Sequence, residues 1–276
     1  MRVFAIFLAI SSSFFGQALA TPAQPQFINS PIKQKPTDLT GLTRLRFLTT
    51  TDFVPFNSIN AQGQLTGYNI DLARALCREL KLDNICQIEA LPWNELQNAL
   101  NKGEGEAIIA GLTPSADNRQ TYSFSRPYLK FPARFIALNA VKSDTKITKN
   151  TFQKAVGILA DSKHAKVFAQ YFPDIKSEHF DNREAMLKAL QAQDIAAIFD
   201  DGLALSFMLE NNDSNQCCHF IAEPYYAPQL ADNQMTIAVS ANNQRLTRAF
   251  NYALAALEKK GALNEIYMRH FPIAFH

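Results

Sequence analysis

Ala107-Ile108-Ile109-Ala110-Gly111-Leu112-Thr113-Pro114-Ser115-Ala116-Asp117-Asn118-Arg119, with Phe124-Ser125-Arg126-Pro127-Tyr128 close behind, decides how this chain is read. The four apolar residues that open it read as a short buried strand. A small residue, a hydroxyl and an arginine then leave one strand end together. These groups suit a small zwitterion: a carbonyl and a hydroxyl for an ammonium, a planar guanidinium fork for a carboxylate. The competing reading is a surface turn whose arginine is merely solvated.

Working outward, residues 45–49 read as a first strand. Residues 69–80 read as a helix, with Leu72, Leu76 and Leu80 on one face, Ala73 and Cys77 beside it, and Asn69 as cap. A helix over 94–102 stops at Gly103 and leads into the Ala107 strand. This is βαβ alternation, so a mostly parallel sheet is expected. The second half repeats it: a strand at 156–159, a helix at 163–171, and a helix at 181–193 opened by Asp181 and Glu184 in capping-box form. A strand at 195–199, another at 236–239, and helices at 242–259 and 263–270 follow. A gapless offset of 90 residues pairs Ala107-Ile108 with Ala197-Ile198 and sets Gly111 against Asp201. That agrees with two α/β lobes facing one another across a cleft.

Residues 1–20 have the form of a secretory signal: Arg2, an apolar core from Val3 to Ile10, and Ala18-Leu19-Ala20 as cleavage pattern. An internal buried helix is the alternative, although Thr21-Pro22-Ala23-Gln24-Pro25 reads as an unstructured mature start. No cysteine stands at the cleavage point, so no lipid anchor is expected. No later apolar run has the length of a membrane span. Cleavage after Ala20 leaves 256 residues and lowers the formal charge of +2 to +1. The near-neutral balance, with no Lys/Arg run, argues against a nucleic-acid partner. The expected product is exported and periplasmic.

The chain has four cysteines. Cys77, near a helix end, and Cys86, just before a strand, are placed for an easy local bridge in an exported protein. Neighbouring Cα atoms lie about 3.8 Å apart, below the usual disulfide range, so a Cys217–Cys218 bridge is a constrained one. A vicinal or labile bridge is taken over two free thiols. The five histidines are scattered, none at ligand spacing with a cysteine, so no metal is expected.

With Phe53-Val54-Pro55-Phe56, Gly63-Gln64-Leu65-Thr66-Gly67-Tyr68-Asn69-Ile70-Asp71-Leu72 and Trp93-Asn94-Glu95-Leu96 upstream, the order of motifs resembles the family 3 extracellular solute-binding proteins, the amino-acid receptors of ABC importers. The resemblance runs from about Leu45 to Phe271. It implies an α/β, two-lobe periplasmic-binding-protein fold (type II) with the ligand cleft between lobes joined by two hinge strands. Crossings are expected near 137–140 and 235–238. The division is then 1–20 signal, 21–43 flexible leader, 44–137 with 238–276 as a discontinuous first lobe, and 138–237 as the second lobe. It also strengthens the Cys77–Cys86 pairing.

For ligand contacts the resemblance implies Arg119 on an α-carboxylate, although Arg119 stands six positions after Thr113 where the family's usual spacing is five. It places Thr113 and the Gly111 carbonyl on the α-ammonium, Phe53 and Trp93 as aromatics about the ligand side chain, and Asp201 as the acid of the second lobe. Asp200 is then the outward acid, since adjacent strand residues face opposite ways. The alternatives are a Thr113 hydroxyl capping its own turn, a Trp93 in the core, and a solvated acidic pair. Ser162 and Lys163 open a helix whose N–H groups favour a carboxylate. Lys163 either biases the pocket toward anionic side chains or points to solvent.

The resulting expectation is a monomeric receptor for a polar amino acid or similar zwitterion, partnered by an inner-membrane ABC permease, with no cofactor and no catalytic residues. Two rivals use the same scaffold. One is a cyclohexadienyl dehydratase-like enzyme with Asp201 as acid or base. The other is a partner protein of a periplasmic quinoprotein dehydrogenase, with Glu223-Pro224-Tyr225-Tyr226 at its interface.

Overall fold

The first strand, β1 (Leu45–Thr49), carries apolar residues on both faces and lies almost wholly buried, as a parallel strand covered by helices on each side must. The computed structural model describes residues 37–211, 217–230 and 232–271; the expected signal 1–20 and most of the leader lie outside them. After β1 come the short strands β2 (Asp52–Phe53), β3 (Asn57–Ile59) and β4 (Leu65–Thr66), helix α1 (Tyr68–Glu79), β5 (Cys86–Ala90), α2 (Trp93–Asn101), β6 (Ala107–Ile108) and β7 (Tyr122–Phe124). Strand β8 (Leu129–Lys130) precedes β9 (Ala133–Leu138), β10 (Val156–Leu159), α3 (Lys163–Tyr171), β11 (Ser177–Phe180), α4 (Arg183–Gln191), β12 (Ala197–Asp201) and α5 (Gly202–Asn211). The chain then runs through β13 (Cys218–Tyr225), β14 (Gln234–Met235), β15 (Ala238–Ser240), α6 (Gln244–Lys259) and α7 (Ala262–His270).

Two five-stranded sheets result, in the orders β5-β1-β6-β15-β7 and β11-β10-β12-β9-β13. In each, three parallel strands are followed by one that runs against them and an edge strand that runs with them again. The 90-residue offset is thereby given a structural meaning. Strands β6 and β12 are both the central strand, with a parallel neighbour on one side and an antiparallel one on the other. Gly111 and Asp201 leave matching ends.

The chain does not change sheets where it was expected to. Residues 133–138 form β9, an inner strand of the second sheet, so the first crossing is at β8 rather than near 137–140. Strand β8 pairs antiparallel with β14, Leu129 opposite Met235 and Lys130 opposite Gln234, and these two strands connect the lobes. Apolar continuity hid this boundary: Ala133 to Ala137 is buried throughout and reads equally well as either lobe's core.

Behind the first sheet, α1, α6 and α7 close over Leu45, Phe47, Leu72, Leu76, Phe250 and Leu254. Helix α2 covers the opposite face through Leu96 and Leu100. The second sheet is covered by α3 on one face and by α4 and α5 on the other. Helix α1 begins earlier than its sequence signal, so Asn69 is not its cap. Gly67 takes that position at φ 121°, where an added Cβ would sit 2.3 Å from the Phe56 carbonyl oxygen. Asn69 is instead buried and accepts a 2.7 Å hydrogen bond from the Tyr128 hydroxyl. Helix α4 is likewise capped by Asn182, which accepts from the Ala185 N–H at 2.9 Å, and not by Asp181.

Both expected bridges are formed. Cys77 in α1 joins Cys86 in β5 with Cα atoms 6.2 Å apart, and Cys217 joins Cys218. The first closes a short loop beside the core, so Cys77→Ser with Cys86→Ser is expected to lower unfolding stability by about 2–3 kcal/mol. Chemical denaturation of oxidised wild type against the double variant measures it.

Candidate ligand cleft

The residues singled out in the sequence gather at the carboxyl ends of parallel strands, where open α/β sheets place their ligands. Phe53 follows β1, Trp93 follows β5, and Gly111, Thr113 and Arg119 follow β6. In the second lobe Ser162 and Lys163 follow β10, and Asp201 ends β12.

Within the first set the contacts are close. Gly111 adopts φ 89°, and a Cβ there would meet the Phe53 ring at 2.8 Å, so glycine lets the aromatic lie directly on the strand end. Phe53 packs against buried Phe56 with ring centroids 4.7 Å apart and planes tilted by 36°, and stays 38% exposed. Trp93 is the first residue of α2 and lies beside Leu112 and Leu96. It is 47% exposed, so it is not a core residue. The carbonyl of Leu112 accepts from the Thr236 hydroxyl at 3.0 Å, which pins this strand end to the segment between β14 and β15.

The extra residue between Thr113 and Arg119 is absorbed by a self-contained turn. The Ser115 N–H donates to Asn118 Oδ1 at 2.7 Å, the Asn118 N–H donates to Ser115 Oγ at 3.2 Å, and the Asn118 amide donates to the Thr113 carbonyl at 2.8 Å. Ser115 and Asn118 therefore do the capping that was open to Thr113. The Thr113 hydroxyl and the exposed Arg119 guanidinium make no hydrogen bond or ion pair among the described residues. Arg126, the other arginine of the motif, is paired with Glu258 at 2.8 Å.

The second set is more heavily engaged. Ser162 caps α3, accepting from the Ala165 N–H at 3.0 Å while donating to the Leu159 carbonyl at 2.8 Å. Lys163 pairs with Asp232, so its charge has a local counter-ion. That pair also holds Asp232 well below the usual carboxylate range.

The acidic pair departs from expectation. Asp200 is not a solvated outward residue: it is fully buried on the α4 face of the sheet. The Arg183 Nε donates to it at 2.5 Å and the Nη2 at 3.3 Å, while His164 Nδ1 lies 3.3 Å away. Alternation along β12 sends it there, and the first residue of α4 supplies the cation that lets a carboxylate stay buried. Asp201, on the other face and partly exposed, accepts from the Ala204 N–H through Oδ1 at 2.9 Å. Burial pushes its carboxyl up from the ordinary value of 3.8. His164 is a residue the sequence reading gave no role. It packs between the two acids, and nothing in its local sequence marks it. No ion pair or hydrogen bond among the described residues joins the two sets.

The fold has known relatives. Residues 45–273 match the bacterial extracellular solute-binding proteins, family 3. The chain is 26% identical over 230 residues to ABC transporter arginine-binding protein 1 of Escherichia coli (strain K12), covering 83% of this chain and 91% of that one. Substrate-binding domain 2 of Lactococcus lactis GlnP, in its open conformation, superposes with a TM-score of 0.66 at 17% identity, covering 86% and 99% of the two chains. An ancestral cyclohexadienyl dehydratase superposes with a TM-score of 0.69 at 17% identity, covering 84% and 93%. With type II periplasmic binding proteins on the same two-sheet plan and a family match over nearly all the described residues, the chain belongs to the bacterial extracellular solute-binding proteins of family 3.

Proposed function

We propose that the protein is the periplasmic receptor of an ABC importer and captures a free amino acid, without bond making or breaking. The observation that carries this is the unengaged group at the end of β6. The Arg119 guanidinium, the Thr113 hydroxyl and the Gly111 carbonyl lie on one short segment beside an exposed aromatic face. Arg119 holds the α-carboxylate as a fork. Thr113, the Gly111 carbonyl and Asp201 take the α-ammonium, Phe53 and Trp93 flank the side chain, and the N–H groups of α3 above Ser162 and Lys163 meet the carboxylate from the second lobe. Because the charge partners come from both lobes, ligand favours the closed arrangement about β8 and β14, and the inner-membrane permease reads that arrangement.

The names of the relatives, arginine-binding in several cases, make basic amino acids the first ligands to try. Isothermal titration of the mature protein, freed of carried-over ligand, against the twenty amino acids singly tests the reading. Micromolar or tighter binding of one or a few supports it, and no binding by any overturns it. Lys163→Ala is expected to leave the ranking of acidic, neutral and basic ligands unchanged, because Asp232 already neutralises that lysine. A shift in the ranking measured in the same titrations defeats that expectation.

A further inference from the structure

His164 sits at the start of α3 with only 7% of its surface exposed, between two carboxylates of β12. Its Nδ1 faces Asp200 Oδ1 at 3.3 Å, and its Nε2 faces Asp201 Oδ2 at 3.9 Å. Asp200 is already served by Arg183. Asp201 uses its other oxygen, Oδ1, for the Ala204 N–H. Oδ2 is therefore the oxygen that Asp201 has to offer, and the imidazole faces it. The same nitrogen, Nε2, is buried and has no hydrogen-bond partner among the described residues.

A buried imidazole nitrogen pointing at a carboxylate without a proton between them sets lone pair against negative charge. One proton on the pair removes that conflict and leaves the charges of Asp200, Asp201, Arg183 and His164 balanced. We propose that His164 is the internal counter-ion of Asp201, and that the ligand's ammonium displaces it from Oδ2 with release of one proton to solvent. In that exchange the Nε2–H bond breaks, its electron pair stays on the imidazole, and the ammonium replaces the imidazolium as the charge facing Asp201. The inference rests on Asp201 being the ammonium partner proposed above.

The charged groups about the imidazole are Asp200 and Asp201 on β12, Arg183 on α4 and Lys163 on its own helix, the last paired with Asp232. Burial, the largest influence on both groups, pulls His164 below its ordinary value and raises Asp201, so the two are driven toward one another. On the acid side of the pair's titration the free protein carries the extra proton and the liganded protein does not, so affinity falls as pH drops through that titration and is flat above it. With one proton released, the loss approaches about tenfold per pH unit. Neither the ligand's α-ammonium nor its α-carboxylate titrates between about pH 5 and 7.

The test uses the mature protein and its tightest binder among the amino acids other than histidine. It is titrated from pH 4.5 to 8 in buffers of different ionisation enthalpy. Expected is release of close to one proton per ligand at the acid end, fading to none at pH 8. His164→Gln is expected to flatten the affinity profile and abolish the release, while His179→Gln, on an exposed strand, changes neither. Binding with a flat profile and no proton release in wild type overturns this inference and leaves the receptor reading standing. No binding by any amino acid overturns both. The wild-type measurement decides the matter even if His164→Gln fails to fold.

Discussion

Arg119→Ala is expected to weaken amino-acid binding by about 2–5 kcal/mol, roughly thirtyfold to several thousandfold, while leaving the unfolding midpoint unchanged. The two halves of that expectation have the same origin. In the ligand-free chain Arg119 is exposed and has no partner among the described residues, so its removal breaks nothing in the fold. In the proposed liganded state its fork is the positive partner at the end of β6, and truncating one member of a desolvated charge pair carries the cost of the other left unpaired. Arg119→Lys restores charge without the planar two-point geometry, so it is expected to recover only part of the loss. Titration calorimetry of the three proteins with one amino acid, beside a denaturation curve for each, measures both halves. An affinity unchanged in Arg119→Ala would remove Arg119 from the site, and a lowered midpoint would make it a structural residue instead.

Arg119 could be singled out as a candidate because its signal is local: an apolar strand, a small residue, a hydroxyl and a guanidinium within thirteen residues of chain. The same holds for most elements, whose apolar spacing is set by the period of a helix or the run of a buried strand. β1 and β10 and the helix α3 fall where periodicity places them. What the sequence concealed depends on contacts between distant segments. The crossing at β8 is marked only by pairing with β14, more than a hundred residues on. Arg134 is buried over the Phe220 ring, with its Cζ 4.5 Å from the centroid, although nothing near it in sequence signals an interior cation. The roles of Asp200 and Asp201 could be separated by the pleat, but not the partners that each acquires. Those come from α3 and α4, and it is their packing that turns a pair of acids into one buried ion pair and one presented carboxylate.

That division of labour leads to the largest expected loss of stability. Arg183→Ala is expected to lower unfolding free energy by about 3–5 kcal/mol at pH 7.5, because it leaves the fully buried Asp200 carboxylate without its cation. The pair itself adds little net stability, since both ions lose hydration on folding, yet removing one member exposes the whole desolvation cost of the other. His164 offers a partial remedy. Arg183 is one of the charges that hold the imidazole below its ordinary value, so its loss raises the proton affinity of His164 in the folded state. The sign of the pH dependence follows: a group that binds its proton more tightly in the folded variant than in the folded wild type favours the variant as pH falls. The deficit is therefore largest above the titration of His164 and shrinks below it. Adding His164→Gln removes the remedy, so the double variant should show the same deficit at every pH when set against His164→Gln alone. Urea unfolding of wild type, the two single variants and the double variant between pH 5 and 8 measures this. A deficit in Arg183→Ala that does not narrow toward acid pH would show that His164 cannot take over the charge of Asp200.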